Sequence, residues 1–161
     1  MIEFFDGDDD LIDMAGARFA FMFNLGEGEN DAVVFKTHMT PGKYVPLHSH
    51  YDPEVLYLQS GSIEAYVDDE NPGWRRIGEG QGVLLKHGIK HSLRNAYSDT
   101  AEVIVATNGR LAQFFKEAGR LVRPGTEHTR PTPEDIRKMI MVSDEFGYWM
   151  SSQEESLAIT G

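Results

Sequence analysis

The sequence predicts an all-β protein, built as a sandwich or barrel and followed by one or two short helices. Short apolar segments recur along residues 17–107, and turn residues such as GEGEND (26–31) and Pro41-Gly42 separate them. After Gly109 the spacing of apolar residues changes from that of strands to that of helices. About eight evenly spaced strands are typical of a barrel or jelly roll.

The predicted strands show either alternation of apolar and polar residues or a short apolar run. In residues 17–24, Phe19, Phe21 and Phe23 alternate onto one face, which we expect to lie in the core. DDENPG (68–73) has the composition of a hairpin loop. The predicted strands are 17–24, 32–39, 44–50, 55–58, 62–67, 83–85, 91–95 and 102–107.

Two helical segments follow the strands. Residues 111–118 predict a short helix that ends at Gly119. Thr132 and Pro133 predict the start of a second helix, with threonine as its N-cap and proline at its first position. Residues 148–150 are expected to dock on the barrel. The expected buried stripe of the second helix is Ile136, Met139, Ile140 and Phe146.

We expect one domain in four parts. Residues 1–30 form an N-terminal strand or arm, and residues 31–108 form the barrel core. Residues 109–150 form a helical segment that completes the same domain, and residues 151–161 form a polar tail. The length of 161 residues suits a single core of this kind.

Composition excludes several classes of function. The chain has no cysteine, which excludes disulfide frameworks, thiolate metal sites and cysteine nucleophiles, and is typical of a cytoplasmic protein. Its 15 basic and 26 acidic residues give a net charge of −11, which repels nucleic acid. No secretory signal is recognisable at the N-terminus, and no apolar run approaches the ~18 residues of a membrane span.

The segment GKYVPLHSHYDPEVLYLQSG (42–61) carries the candidate site. His48 and His50 are two residues apart, so in a strand they point to the same face. Glu54 follows four residues later and keeps the same parity. His91 lies on a later predicted strand, where an inward side chain can join the other three. Imidazole and carboxylate ligands together predict a divalent-metal site, and three histidines with one glutamate leave positions open for a substrate.

Segments 42–61 and 80–95 (GQGVLLKHGIKHSLRN) resemble the two motifs of the cupin superfamily. The first motif matches Gly42, His48, His50, Glu54 and Gly61, and the second matches Gly80, Gly88, His91 and Asn95. Lys86 stands where that family usually has proline. The stretch 101–119 and the TPED segment near the C-terminus also resemble quercetin-dioxygenase-like cupins. The resemblance implies a double-stranded β-helix (jelly-roll) barrel, with His48, His50, Glu54 and His91 as ligands of one divalent metal per chain: iron, manganese or nickel, with zinc as a further option.

The resemblance leaves three functions open. The first is a metal-dependent dioxygenase that acts on a small enolic or phenolic molecule. The second is a metal-dependent isomerase or lyase, and the third is a non-catalytic cupin that binds a small ligand. Glu54 is either a metal ligand or a catalytic general base. Because cupins commonly cover their sheets by pairing, a homodimer is expected.

The remaining histidines and several aromatic residues also have the chemistry to belong to a binding site. His38, His87 and His128 are the remaining histidines, and each is expected to be a surface or satisfied side chain. His87 stands beside Gly88 and is the one that can face the barrel mouth. Ordinary packing is the expected role of four aromatic residues that could also line a pocket: Tyr44, Tyr57, Phe114 and Phe115.

Overall fold

The computed structural model describes residues 11–127 and 130–160, so residues 1–10 of the predicted N-terminal region and His128 lie outside it. This part of the chain forms twelve strands and three helices. The strands are β1 Leu11–Met14, β2 Ala17–Asn24, β3 Ala32–Met39, β4 Tyr44–Ser49, β5 Glu54–Ser60, β6 Ser62–Val67, β7 Gly73–Gly78, β8 Gly82–Leu85, β9 His91–Arg94, β10 Ala101–Asn108, β11 Arg120–Val122 and β12 Trp149–Met150. The helices are α1 Gly109–Ala118, α2 Pro133–Glu145 and α3 Gln153–Ala158.

The strands form two antiparallel sheets. The larger sheet has the order β11-β1-β2-β3-β10-β5-β8, and the smaller has the order β12-β4-β9-β6-β7. Sequential strands such as β5 and β6 lie in different sheets, so the chain crosses repeatedly between the layers, as it does in a jelly roll. The predicted all-β jelly-roll barrel with short C-terminal helices is confirmed.

The core lies between the two sheets and follows from strand alternation. In β10, Ala101, Val103, Val105 and Thr107 are buried, and the residues between them are partly exposed. Phe35 on β3 is fully buried and contacts the rings of Phe19, Phe21 and Phe115. Each large apolar side chain buried in this way contributes roughly 1.5–3 kcal/mol. This packing fixes the frame that carries the site.

The predicted buried stripe of α2 is wrong in part. Ile136 and Ile140 are 42% and 47% exposed, and the buried residues of the helix are Val142 and Ser143. The helix therefore lies against the rest of the molecule mainly through its C-terminal end, and a regular apolar spacing overestimates the buried face. Its start is as expected, because Thr132 forms a capping box with Asp135.

The C-terminal residues return to the smaller sheet. Trp149 pairs with Ser49 and Met150 with His48, as expected from the predicted docking of residues 148–150. Residues 153–158, predicted as part of a polar tail, instead form α3, which has a capping box of Ser152 and Glu155. Among the described residues, no helix is both long and apolar enough to cross a membrane.

Candidate metal centre

Two neighbouring strands of the smaller sheet bring the three histidines together. His48 lies on β4 and His50 directly follows that strand. His91 is the first residue of β9, and its Cα is paired with that of His48. The ring centroids of His48 and His91 are 4.2 Å apart, and those of His50 and His91 are 5.1 Å apart. Each ring offers one nitrogen, and these nitrogens lie within 4.8 Å of one another, as ligands of one metal ion require.

Backbone carbonyls set the tautomer of each ring, because a carbonyl oxygen accepts but cannot donate. The three Nδ1 atoms therefore carry the proton, and each neutral ring leaves an Nε2 lone pair free for another partner. Partners of this kind are typical of metal-binding histidines. The Nδ1–oxygen distances are 2.7 Å for His48 to Pro46, 2.8 Å for His50 to Asp52 and 2.9 Å for His91 to Ile89.

The Nε2 atom of His91 is buried and has no hydrogen-bond partner within the described part of the chain. A buried polar atom without a partner costs about 1–3 kcal/mol. A metal ion bound between the three rings would satisfy it, so the donor set fits a divalent metal.

Glu54 lies beside the three rings. It is the first residue of β5 and is buried. Its Oε2 atom is 3.4 Å from Nε2 of His50 and 3.8 Å from Nε2 of His91. The structure thus places Glu54 beside two of the three rings, whereas the ligand atoms that lie within 4.8 Å of one another belong to the three histidines alone among the described residues. Three imidazoles and one carboxylate leave one or two positions open in an octahedral shell.

The surroundings favour neutral rings at two of the three histidines. Burial, together with His91 and His50, holds the pKa of His48 well below its ordinary value. Burial also lowers the pKa of His91, although Glu54 opposes this shift. Burial lowers the pKa of His50 as well, but the adjacent Glu54 carboxylate outweighs it and the net shift is upward. Burial raises the pKa of Glu54, but His50 outweighs it and the net shift is downward. When His50 is protonated it pairs with the Glu54 carboxylate, and this pair competes with metal for both groups.

The centre opens into a cavity of about 330 Å³ whose walls are mostly apolar. Aromatic rings from β2, β3, α1 and the C-terminal segment form much of the wall, among them Phe19, Phe35, Phe114 and Tyr148. Glu54 is the only carboxylate among the described residues that line it. An apolar cavity with a few converging polar groups is typical of a small-molecule site.

Sequence reasoning missed a polar cluster behind the centre. The Asp52 carboxylate accepts hydrogen bonds from Asn108 Nδ2 and Arg110 Nη1, both at 2.9 Å, and from the hydroxyl of Tyr148. The ring of Tyr148 lies 5.5 Å from that of His50. Asp52 stands between two predicted ligands, and that position was the available signal. Its partners Asn108, Arg110 and Tyr148 lie far from it in the sequence, so no local pattern pointed to them.

Of the other aromatic residues and histidines considered for the site, some line the cavity and some lie on the surface. Tyr44, Phe114 and Phe115 line the cavity, whereas Tyr57 lies on the outer face of the larger sheet. His38 also lines the cavity, and its exposed ring lies 3.8 Å from the Glu102 carboxylate. The exposed ring of His87 contacts the carbonyl of Tyr51.

Comparisons with known proteins agree with this architecture. The model of the Cupin domain family matches residues 35–107. An RmlC-like cupin from Shewanella frigidimarina superposes with a TM-score of 0.56 at 16% identity, over 71% of this chain and 96% of that chain. A Cupin 2 conserved barrel domain protein from Salinispora arenicola gives a TM-score of 0.53 at 17% identity, over 71% and 94% of the two chains. At these identities the two likenesses establish the fold alone.

One curated relative is similar in sequence. The dimethylsulfoniopropionate lyase DddQ of Ruegeria pomeroyi is 30% identical over 81 residues, which are 48% of this chain and 39% of the lyase. The chain therefore matches well under half of that protein's length. The matched family and the described strands account for the barrel, while the finer resemblance to quercetin-dioxygenase-like cupins stays a prediction.

Proposed function

The barrel of this chain is a cupin, and from that premise we propose that the chain is a metal-dependent lyase of a small organic molecule. The observation that carries the metal is the buried Nε2 atom of His91, which lacks a hydrogen-bond partner in the described structure. Each of the neighbouring rings of His48 and His50 offers a nitrogen within 4.8 Å of the others, and their Nδ1 atoms are already bonded to backbone carbonyls, which leaves Nε2 for a metal. The similarity to a dimethylsulfoniopropionate lyase supports the reaction class.

His48, His50, His91 and Glu54 would hold one iron, manganese, nickel or zinc ion per chain, since their nitrogen and oxygen donors suit each of these metals. A bound ion of this kind supplies Lewis acidity toward a substrate oxygen. The surrounding side chains exclude water, because the cavity wall is largely hydrocarbon. Water exclusion strengthens electrostatic interactions between the centre and a substrate.

An elimination needs a group that accepts a proton, and Glu54 is the leading candidate. It is the only cavity-lining carboxylate within the described part of the chain. Tyr148 is less suited, because its hydroxyl already donates to Asp52, and burial together with Asp52 raises the pKa of Tyr148 far above its ordinary value. Glu54 thus has two roles compatible with its position, as a metal ligand and as a general base.

A dioxygenase that acts on a small enolic or phenolic molecule is the second candidate. The same three histidines with Glu54 beside them support it, and so does the apolar wall, which suits an aromatic substrate. Isomerisation shares the non-redox chemistry of the lyase. The discriminating observation is oxygen dependence, because lyase and isomerase turnover continues under strict anaerobiosis and dioxygenase turnover does not.

The first experiment is elemental analysis of purified protein and of the His48→Ala variant. We expect about one transition metal per chain in the wild type, and its loss in the variant, because a ligand is removed. The matched control is His38→Ala, which removes a histidine of the cavity mouth and should keep the metal. Wild-type protein that carries no metal and takes none up would refute the proposed enzyme and leave a ligand-binding barrel.

A metal-loaded protein is then tested for turnover with and without oxygen, using dimethylsulfoniopropionate, further small organic acids and phenolic compounds. Anaerobic turnover of an acid excludes the dioxygenase, and cleavage of that acid into two products supports the lyase over the isomerase. Oxygen uptake with a phenolic or enolic compound supports the dioxygenase instead. Tight ligand binding without any turnover supports the non-catalytic alternative.

We also propose that the protein is a homodimer. On the outer face of the larger sheet, Val55 pairs with Leu84 and Tyr57 follows on the same face of β5, with exposures of 40%, 54% and 47%. Adjacent apolar side chains of this kind favour burial against another surface. Light scattering should give twice the chain mass of 18.1 kDa, and Leu84→Glu should lower it. A wild-type mass of one chain would contradict this proposal.

A further inference from the structure

The side chain of Lys43 lies at the entrance of the cavity. Lys43 follows the Gly42 turn and directly precedes β4, the strand that carries His48. It lines the apolar cavity and also an adjoining open groove of about 780 Å³. A Cβ atom placed at Gly16 would lie 3.3 Å from Nζ of Lys43, which puts the ammonium group beside the turn between β1 and β2. The ammonium group thus stands where a ligand would pass from the groove to the centre.

This ammonium group has no hydrogen bond and no salt bridge within the described ranges. The nearest acidic influence is Asp13, but the Asp13 carboxylate is already bonded to Arg18 Nε at 3.1 Å and to the backbone nitrogen of Gly16 at 2.9 Å. Burial lowers the pKa of Lys43, and Asp13 opposes this shift only in part. A half-buried cation without a partner is poorly solvated and would gain from an anion.

The groove outside Lys43 is cationic although the whole chain carries a net charge of −11. Arg18, Lys36, Lys43 and Arg130 line it, and no aspartate or glutamate does so among the described residues. Lys36 is paired with Glu102 and Arg18 with Asp13, whereas Arg130, like Lys43, shows no partner in the described structure. A local concentration of positive charge in a concave surface attracts small anions and raises their association rate.

The cavity beyond Lys43 suits an apolar body. Its wall is mostly hydrocarbon, and its volume of about 330 Å³ exceeds the roughly 150 Å³ that accommodates benzene. A ligand of about a dozen non-hydrogen atoms therefore fits. The lining of this space combines two kinds of polar group in a mostly apolar wall, the metal-binding side chains and the single ammonium group of Lys43.

We propose that Lys43 binds the carboxylate of the substrate, so that the substrate class of this site is a small organic acid whose apolar body fills the cavity. One ammonium group balances the single charge of a carboxylate, whereas the second charge of a phosphate would stay unbalanced beside a mostly apolar wall. As a statement about a substrate this inference rests on the proposed function, but the anion site itself can be tested without turnover.

The test compares benzoate with benzamide, which has the same ring but no charge. Binding of each to purified, metal-loaded protein is measured by calorimetry. Wild-type protein should prefer benzoate, and Lys43→Met should weaken benzoate binding by about tenfold or more while leaving benzamide binding unchanged. Lys43→Gln serves as a second variant that keeps a polar side chain, and should lose the preference as well. Lys86→Met removes an exposed lysine that does not line the cavity and should behave as wild type.

Two results would overturn the inference. The first is wild-type protein with no preference for benzoate over benzamide, including protein that binds neither. The second is unchanged benzoate binding in both Lys43 variants, which would place the carboxylate on the metal or elsewhere.

Metal content, measured in the same preparations, separates this inference from the proposed function. Lys43-dependent benzoate binding in protein that takes up no metal would refute the enzyme and keep the anion site. Metal-dependent turnover with unchanged KM in Lys43→Met would keep the enzyme and refute the anion site.

Discussion

The hydroxyl of Tyr148 donates a hydrogen bond to the carboxylate of Asp52. Asp52 is also the residue whose backbone carbonyl accepts the Nδ1 proton of His50, at 2.8 Å. Asp52 therefore connects the C-terminal segment to a predicted metal ligand, with its side chain bonded to one and its backbone to the other. Arg110, at the start of α1, bonds to the same carboxylate at 2.9 Å. Through these contacts, the orientation of the His50 ring depends on residues outside the barrel core.

Tyr148→Phe should destabilise the protein by about 1–2 kcal/mol, because it removes one donor to a buried carboxylate and keeps the ring. Urea unfolding at pH 7 measures the change. Tyr66→Phe is the matched control, since the Tyr66 hydroxyl has no hydrogen bond within the described residues and its loss should cost little. Equal effects of the two substitutions would show that the bond to Asp52 contributes nothing.

The Asp52 cluster also predicts a pH dependence of stability. Burial raises the pKa of Asp52, but hydrogen bonds from Tyr148 and Asn108 and the charge of Arg110 outweigh it, so the net shift is downward. A folded-state pKa below the unfolded value means that the ionised group stabilises the fold above about pH 4 and that this contribution is lost as pH falls further.

Asp52→Asn removes this contribution while keeping the shape of the side chain. The variant should be less stable than wild type at pH 6, and the difference in unfolding free energy should shrink at pH 3, by at most about 1.3 kcal/mol. Urea unfolding at both pH values measures it. Asp68→Asn, at an exposed aspartate, should show no such change. A difference that stays constant between pH 6 and pH 3 would contradict the assigned shift.

Much of the barrel could be predicted from local sequence, because strand alternation and turn residues are local properties. β2, β3 and β6 begin and end as predicted. β7 was missed, since GWRRIG (73–78) is polar and lies at the edge of the smaller sheet, where one face is solvated. α3 was missed because a short polar helix depends on its caps, Ser152 and Glu155, rather than on an apolar stripe.

His48, His50 and Glu54 could be grouped from parity, since residues two apart in a strand share a face. His91, on another strand, could be added from the resemblance to the second cupin motif. The residues that support them could not be placed in either way. The carboxylate of Asp52 meets Arg110 and Tyr148 only after the chain has crossed both sheets, and no local pattern encodes that meeting. In the sequence, Lys43 is likewise an ordinary lysine next to a turn. Only the folded structure shows that it lines both the cavity and the groove.

Gly61 and Gly80 have nearly the same backbone conformation but different surroundings. Substituting each by alanine therefore distinguishes the cost of backbone strain from the cost of a steric clash. Gly61 has a φ of 76° and Gly80 a φ of 75°, a region that side chains rarely adopt. A Cβ at Gly61 would lie 2.8 Å from Cα of Ala101, whereas no atom of the described residues lies within 4 Å of a Cβ at Gly80. Gly80→Ala should therefore cost about 1–2 kcal/mol, and Gly61→Ala about 2 kcal/mol more. Urea unfolding compares the two, and equal costs would show that the β5–β6 crossing relaxes freely around Ala101.

Metal affinity should fall as the pH is lowered, and Glu54 should determine the pH at which this fall begins. Burial lowers the pKa of His48 and His91, so protons compete with a metal for these two rings less than they do for His50. Burial also lowers the pKa of His50, but Glu54 outweighs it, so below that raised pKa one proton competes with the metal. Affinity is then greatest at higher pH and falls by about tenfold for each unit below that pKa.

Zinc binding is measured by chelator competition from pH 8 to pH 5, in the wild type and in Glu54→Gln. The glutamine cannot stabilise a protonated His50, so the pKa of that ring falls and the decline in affinity should begin at lower pH. The absolute affinity of this variant should also be lower, since a neutral amide is a weaker donor than a carboxylate. His38→Ala should follow the wild-type curve. If Glu54→Gln lowers affinity equally at every pH, the competing proton does not reside on the His50–Glu54 pair, and the carboxylate acts on the metal alone.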